Sequence, residues 1–326
     1  SNFKVIGMGG SSLGSKAIYF FLRKKIKKNF KFLDNLSPHK KLNKKISCNL
    51  IISKSGNTVE TIINANVFIN KNDKNIFITE KKNNYLLKLA QNLKSEIIHH
   101  NNYIGGRYSV LSEVGMVPAE LMGLKPENFK NLNNLVKNKK FTNTLINNVN
   151  SILSLSKKKK FNSIVINYDE QSESLFNWYQ QLVAESLGKK NKGILPVISN
   201  MPRDNHSVMQ LYLDGFKNNF FTFFSVKEKN SLKIKNDSIL QTHEYLKNKK
   251  IYDIIYSQKQ ATENVFNKKN IPFRSFEIKE RNEKTLGELF TFFILETILL
   301  AKSLELDPFN QPAVELIKTE TKKILI

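Results

Sequence analysis

The chain has 326 residues, 40% of them hydrophobic, with a formal net charge of +24 and one cysteine. It is long enough to bury a large core in one or two domains, and Cys48 alone excludes an internal disulfide framework, so a reducing, cytoplasmic setting is expected. Only five of the 52 basic residues are arginines (Arg23, Arg107, Arg203, Arg274, Arg281), and lysine runs such as Lys157-Lys158-Lys159-Lys160 read as solvated faces, so no nucleic-acid partner is expected.

In chain order the pattern predicts a strand over 3–8, a helix over 11–29, a strand over 49–54, a helix over 58–70, a strand over 75–79, a helix over 83–93 and a strand over 96–100. A glycine-containing loop over 105–109 precedes an apolar stretch over 110–122, and two polar helices, about 126–138 and 141–156, follow. The alternation then restarts: strand 164–168, helix 175–188, strand 194–198, helix 206–215, strand 220–226, helix 251–268, strand 273–279, helix 284–305 and a terminal helix over 311–325. Apolar strands alternating with amphipathic stretches imply an α/β fold with doubly wound parallel sheets. Two such halves, 1–156 and 157–326, are expected as domains. The longest apolar run, over 289–301, is too short to span a bilayer and contains Glu296, so it reads as a buried helix and no membrane partner is expected. Ser1-Asn2 reads as a remnant ahead of a chain that begins almost inside its first strand, so an N-terminal segment is expected to be missing.

Two strand-to-helix turns carry the chemistry of the first half. Ser53-Lys54-Ser55-Gly56-Asn57-Thr58-Val59-Glu60-Thr61 follows an apolar run and opens a helix. Helix N-termini leave N–H groups unpaired at the positive end of the helix dipole, and the hydroxyls of Ser53, Ser55, Thr58 and Thr61 add donors, so a phosphate monoester would fit there. The upstream turn Gly7-Met8-Gly9-Gly10-Ser11-Ser12-Leu13-Gly14 has the wrong glycine spacing for a dinucleotide site. Two Ser/Gly turns at successive strand ends instead suggest a cleft for a small, phosphorylated, hydroxyl-rich ligand.

Three further motifs complete a set: Gly105-Gly106-Arg107-Tyr108-Ser109, Gln181-Leu182-Val183-Ala184-Glu185-Ser186-Leu187-Gly188-Lys189, and Gln311-Pro312-Ala313-Val314-Glu315-Leu316-Ile317-Lys318. Together, and in this order, the five resemble the glucose-6-phosphate isomerase family. The resemblance implies two sugar-isomerase (SIS) domains, flavodoxin-like three-layer αβα sandwiches, and interconversion of glucose 6-phosphate and fructose 6-phosphate through an enediolate. Glu185 matches the family's base, and its neighbours Trp178, Leu182 and Leu187 would desolvate the carboxylate and raise its pKa toward neutrality. Arg107 matches the cation that stabilises the enediolate, which a guanidinium does without changing protonation state.

By the same resemblance His206 matches the ring-opening histidine, which in the family comes from the neighbouring subunit, so a homodimer is implied, and Lys318 matches its partner lysine. Ser53, Lys54, Ser55, Thr58 and Thr61 correspond to phosphate binders. Gly10, Ser11, Gly106, Gln181 and Gln311 correspond to sugar contacts. No metal or cofactor is implied, and His39, His99, His100 and His243 fall in no motif, so they are expected to be solvent-facing or structural. The sequence departs from many relatives at Gly56-Asn57, Asn205 and Ala313. A regulator that binds sugar phosphates without turnover, or an isomerase that also accepts mannose 6-phosphate, would use much of the same pattern.

Overall fold

A computed structural model of the chain describes residues 2–39, 48–228 and 230–326. The first half builds a five-stranded parallel sheet from β1 (Asn2–Ile6), β2 (Asn29–Leu33), β3 (Cys48–Ile52), β4 (Asn75–Glu80) and β5 (Glu96–His100), in the order β2-β1-β3-β4-β5. The second half builds a four-stranded parallel sheet from β6 (Asn162–Asn167), β7 (Leu195–Asn200), β8 (Asn219–Val226) and β9 (Phe273–Ile278), in the order β7-β6-β8-β9. Both orders reverse beside the first strand, as in flavodoxin-like sheets, and that reversal opens a crevice at the strands' carboxyl ends.

Eleven helices follow in sequence: α1 (Leu13–Phe21), α2 (Val59–Phe68), α3 (Tyr85–Asn92), α4 (Glu113–Leu121), α5 (Leu132–Lys137), α6 (Lys139–Lys157), α7 (Glu173–Leu187), α8 (Met209–Asp214), α9 (Ile251–Lys268), α10 (Glu283–Ser303) and α11 (Ala313–Leu325) among the described residues. Period-two alternation along the strands sorts them into layers. Val5, Leu50, Ile52 and Ile78 face a central layer that also holds Ile18 and Phe21 of α1, Phe176 and Leu182 of α7, and Phe290 and Phe293 of α10. Ile6, Leu33, Ile51 and Phe77 face the opposite way, toward Ala65 of α2 and Leu86 and Ala90 of α3. In the second sheet Ile164, Ile166, Phe221 and Phe223 form a separate outer cluster with Met209, Tyr212 and Phe266.

The halves are joined by the central layer. Val5, Ile18 and Leu50 of the first half share it with Phe176, Leu182 and Phe290 of the second, and on the second-half side Trp178 meets Phe290 edge to face, with ring centroids 4.8 Å apart, and Phe176 meets Phe224 at 4.9 Å. Each such ring, fully buried, contributes about 1.5–3 kcal/mol by area alone. α1 packs against α7 in antiparallel fashion: Gly9, before α1, lies against Gln181 near the end of α7, while Arg281 donates both to the Phe21 carbonyl at the end of α1 and to Asp169 just before α7. The carboxyl edge of the first sheet therefore receives the C-terminal end of α7.

The structure departs from the sequence pattern in several places. The helix expected over 11–29 ends at Phe21; a 3-10 turn, Arg23–Lys25, follows, and the chain enters an unanticipated strand, β2. Repulsion along Lys24-Lys25-Ile26-Lys27-Lys28 disfavours a continued helix, while Phe30 stacks on Phe3 at 4.7 Å and so ties β2 to β1. The helix expected over 126–138 is a 3-10 turn, Pro126–Phe129, and the short α5. The apolar stretch before residue 301 is the buried α10, and Glu296 within it, 1% exposed, is paired with Arg274 Nη2 at 3.0 Å. No helix among the described residues is long and apolar enough to cross a membrane.

Candidate active site

The two glycine turns meet through close backbone contacts that only glycine permits. A Cβ on Gly10 would lie 2.2 Å from the Gly106 carbonyl carbon and oxygen and 2.7 Å from the Arg107 nitrogen. Gly9 has φ +53°, and a Cβ there would lie 2.6 Å from Gln181 Nε2. The motifs ending β1, preceding Arg107 and running along α7 thus converge on one point, with Gly10 and Ser11 in the 3-10 turn Gly9–Ser11 at its floor.

Arg107 sits at that point, 3% exposed, with all five N–H donors engaged. Nε donates to Ser186 Oγ at 2.9 Å, Nη1 donates to Glu185 Oε2 at 3.2 Å and to Gln311 Oε1 at 2.6 Å, and Nη2 donates to the carbonyls of Pro308 and, at 3.1 Å, Asn310. Tyr108 lies beside the guanidinium, 5.3 Å from ring centroid to Cζ, and its hydroxyl bonds to Ser186 Oγ at 2.8 Å. The other oxygen of Glu185 accepts from Gln181 Nε2 at 2.9 Å. One arginine therefore gathers the residues of three motifs around a carboxylate.

The setting of Glu185 corrects one expectation. Trp178, Leu182 and Leu187 are buried, but the Glu185 side chain is 26% exposed and its partners are polar, because Arg107 and Gln181 reach it from the cleft side of α7. Beside it, burial, followed by the repulsion of the Arg107 guanidinium, pushes the Lys189 ammonium below its ordinary range. Oε1 of Gln181 is buried without a partner among the described residues.

The phosphate-type turn lies at the next strand end, since β3 pairs with β1. No side chain caps α2: the Thr58 hydroxyl instead bonds to Ser53 Oγ at 3.0 Å, which leaves the first amides of the helix for an anion. Thr61 Oγ1 is fully buried and, among the described residues, has no partner. Ser55 is exposed and accepts from the Asn57 N–H, and Lys54 Nζ donates to the Asn102 carbonyl at 2.7 Å. Gly56 and Asn57 dock the turn onto α3: Leu86 N–H donates to the Gly56 carbonyl at 3.1 Å and Tyr85 N–H to Asn57 Oδ1 at 3.0 Å.

Two expected residues stand apart from this cluster within one chain. His206 does not begin a helix but follows the 3-10 turn Arg203–Asn205 at the carboxyl end of β7, and it is exposed. β7 runs parallel to β6, whose carboxyl end leads into α7, so His206 lies at the end of the sheet where α7 starts, whereas Glu185 is near the far end of that helix, about 20 Å along it at ~1.5 Å per residue. Lys318 is exposed on α11 and bonds to Glu315 at 2.6 Å.

Comparison with known proteins places this arrangement in a family. The model of the phosphoglucose isomerase family matches residues 1–326. A glucose-6-phosphate isomerase of Methanocaldococcus jannaschii is 34% identical over 352 aligned positions, covering 99% of this chain and 83% of that protein. The chain belongs to the phosphoglucose isomerase family. Among solved structures, a hypothetical protein of Thermus thermophilus has the same fold at TM-score 0.89, 24% identity, and coverage of 99% of this chain and 83% of that one. A glucose-6-phosphate isomerase of Chlamydia trachomatis follows at TM-score 0.77, 19% identity, and coverage of 100% and 69%.

Several contributors to the cluster escape a reading by motif. Pro308 and Asn310 act through backbone carbonyls, which leave no trace in residue identity, and Ser186 and Tyr108 lie within motifs whose ionisable members draw notice first. His100, expected to be solvent-facing or structural, is 4% exposed and bonded to Glu113, six residues beyond Arg107. A histidine and a glutamate bracketing a Gly-Gly-Arg motif were the available signal. Cavities of 590 Å³ around Asn148, Ser151 and Arg274 and of 430 Å³ around Lys24, Lys227 and Arg281 lie outside this cluster. Arg274 is already committed to Glu296. Among the described residues no group of three or more His, Cys, Asp or Glu side chains forms a metal site.

Proposed function

We propose that this chain interconverts glucose 6-phosphate and fructose 6-phosphate, with Glu185 as the base and Arg107 as the fixed cation. The observation that carries the reading is the Arg107–Glu185 pair at 3.2 Å, held by residues of the flanking motifs in a member of the phosphoglucose isomerase family. Glu185 removes the proton from one of the two carbons and returns it to the other. Arg107 stabilises the negative charge on the enediolate oxygens, and its Nη1 exchanges the Gln311 or Glu185 bond for a substrate oxygen. The phosphate takes the uncapped amides of α2 with Ser53, Ser55, Thr58 and the buried Thr61 hydroxyl, Lys54 standing beside them. Gly10, Ser11, Gly106, Gln181 and Gln311 line the sugar.

His206, which opens the ring in this reading, comes from a second copy of the chain. Its place at the far end of α7 from Glu185 supports a homodimer in which it reaches the partner's site. The terminal helix α11 supports the same assembly: Ile317, Ile324 and Leu325 are 70–84% exposed on one face of it, an apolar stripe awaiting cover that carries Lys318 at its margin. The two sheets correspond to domains meeting near Lys157, and the one free, buried thiol fits a cytoplasmic enzyme. The test is conversion of fructose 6-phosphate to glucose 6-phosphate, coupled to a dehydrogenase specific for the product, in the presence of EDTA. Sugar-phosphate binding without turnover would sink the reading in favour of a regulator.

A further inference from the structure

Arg107 lies midway along a loop whose ends are tied together. His100, the last residue of β5, sets Nδ1 against the carboxylate of Glu113 in the first turn of α4, and the two are 13 residues apart in sequence. Its Nε2 lies 3.1 Å from the Ile104 carbonyl within the loop, and Glu113 Oε1 also accepts from the Asn101 N–H at 3.2 Å. Both ring nitrogens of this buried imidazole are thereby engaged by oxygen atoms, one from α4 and one from within the loop. Burial by itself would push the Glu113 carboxyl up, but hydrogen bonds from its own N–H, from His100 and from Asn101 outweigh that and hold it below the usual range. On the neighbouring strand β4 the register partner of His100 is Glu80, whose carboxylate lies 4.0 Å from the Lys82 ammonium.

Between the latch and Arg107 the segment is otherwise held by the Lys54 bond to the Asn102 carbonyl, by the Ile104 N–H on the Asn101 carbonyl and by the packing of Gly106 on Gly10. Asn101, Asn102 and Tyr103 are exposed, Tyr103 by 90%, so the ties at its two ends weigh the more. The guanidinium must arrive with five donors in register against Glu185, Ser186, Gln311 and two carbonyls. We propose that His100 and Glu113 are positioning residues for Arg107, a hydrogen-bonded latch that closes the loop at both ends and sets the guanidinium where enediolate charge develops. The inference deepens the reading of Arg107 as the catalytic cation and rests on it.

The test uses His100→Gln, which loses the Glu113 bond, on the full chain. Expected is a fall in kcat of about tenfold or more with KM for fructose 6-phosphate within about twofold, because the α2 amides and the Ser53, Ser55, Thr58 and Thr61 hydroxyls lie outside the loop and only Lys54 reaches it, through the Asn102 carbonyl, while the cation is misplaced. In an Arg107→Lys background the same substitution should cost less than about twofold, since coupled residues are non-additive. A readout independent of turnover is modification of Arg107 by phenylglyoxal, followed by peptide mass against Arg274 as an internal reference. Labelling of Arg107 should rise at least about fivefold in the variant, as its buried donors are freed. Should His100→Gln fail to fold, Glu113→Gln, which keeps the side-chain shape, takes the same assays. Unchanged kcat with unchanged labelling overturns the inference, and so does an equal loss of kcat in both backgrounds or a parallel rise in KM. If the wild-type chain does not isomerise, the reading of the reaction fails, and labelling still decides whether the latch holds Arg107.

Discussion

Replacing Glu185 by glutamine tests the centre of the proposal with the least structural disturbance. In the native chain Oε2 accepts from Arg107 Nη1 at 3.2 Å and Oε1 from Gln181 Nε2 at 2.9 Å. The new amide offers its oxygen to Arg107 and its NH2 to Gln181, whose own Oε1 is buried without a partner and becomes the acceptor once that amide turns over. Both contacts survive, Arg107 keeps its other four bonds, and the change in stability should stay near or below about 1 kcal/mol, since the carboxylate is partly solvated. What is lost is the capacity to take a proton from carbon. A positioned base contributes about 10²–10⁴-fold, or ~3–5 kcal/mol, and that loss should fall on kcat. The coupled isomerase assay gives kcat, and calorimetric titration of a non-reacting sugar phosphate gives affinity. A fall in kcat of less than tenfold, or an affinity that drops in step with kcat, would refute the assignment of Glu185 as the base.

Four other outcomes follow from the same geometry. Gly10→Ala sets a Cβ 2.2 Å from the Gly106 backbone, so the Arg107 loop must shift; a loss of about 1–3 kcal/mol in chemical denaturation and roughly 10²-fold in kcat is expected. Gly56→Ala meets both a φ of +65° and the Asn84 oxygen at 1.9 Å, an atom that caps α3 through the Leu87 N–H, and it should raise KM about tenfold with a smaller effect on kcat. The folded Glu113 carboxyl lies below its ordinary range, so its contribution to stability is fully present above that range, near pH 4.3, and is lost as pH falls through the lower folded value. The Tm gap between wild type and Glu113→Gln should therefore be widest at neutral pH and close in acid; a gap that widens in acid would contradict the sign. Mixing Glu185→Gln with His206→Ala subunits should restore about a quarter of wild-type activity if His206 crosses the interface, because half the random dimers carry one intact site of two, whereas no recovery would place His206 in its own subunit's site.

How far the sequence revealed this molecule depended on whether a feature was local. The parallel αβ alternation was legible because strands such as Asn219–Val226 are apolar throughout, and the glycine turns were legible because they sit between a strand and a helix. β2 was not, because its short Asn-Phe-Lys-Phe-Leu alternation is joined to α1 by a lysine run that reads as one more helical turn. The polar surroundings of Glu185 were hidden for a different reason. On α7 its spacing from Trp178 and Leu182 puts it on an apolar face, and only the long-range arrival of Arg107, 78 residues away, makes that spot a polar cleft. His100 and Glu113 show the same limit, since neither sits in a motif and their meaning lies in the loop they enclose.

Stability and chemistry are bound together at Arg107. Its donors join the loop after β5 to α7 and to the segment before α11, so the guanidinium ties two halves of the chain as well as facing the carboxylate. A lysine could supply the charge but only three donors from a single point, leaving buried acceptors such as the Pro308 and Asn310 carbonyls unpaired at about 1–3 kcal/mol each. The division of labour within the fork also matters. Nε and Nη2 are engaged by Ser186 and by backbone carbonyls that cannot withdraw without unfolding the local chain, whereas Nη1 is engaged by the side chains of Glu185 and Gln311, which can rotate. In the proposed reaction the anchored nitrogens would keep the cation in place while the exchangeable one met the substrate, so an arginine saturated in the free chain could still serve an oxyanion when the sugar entered.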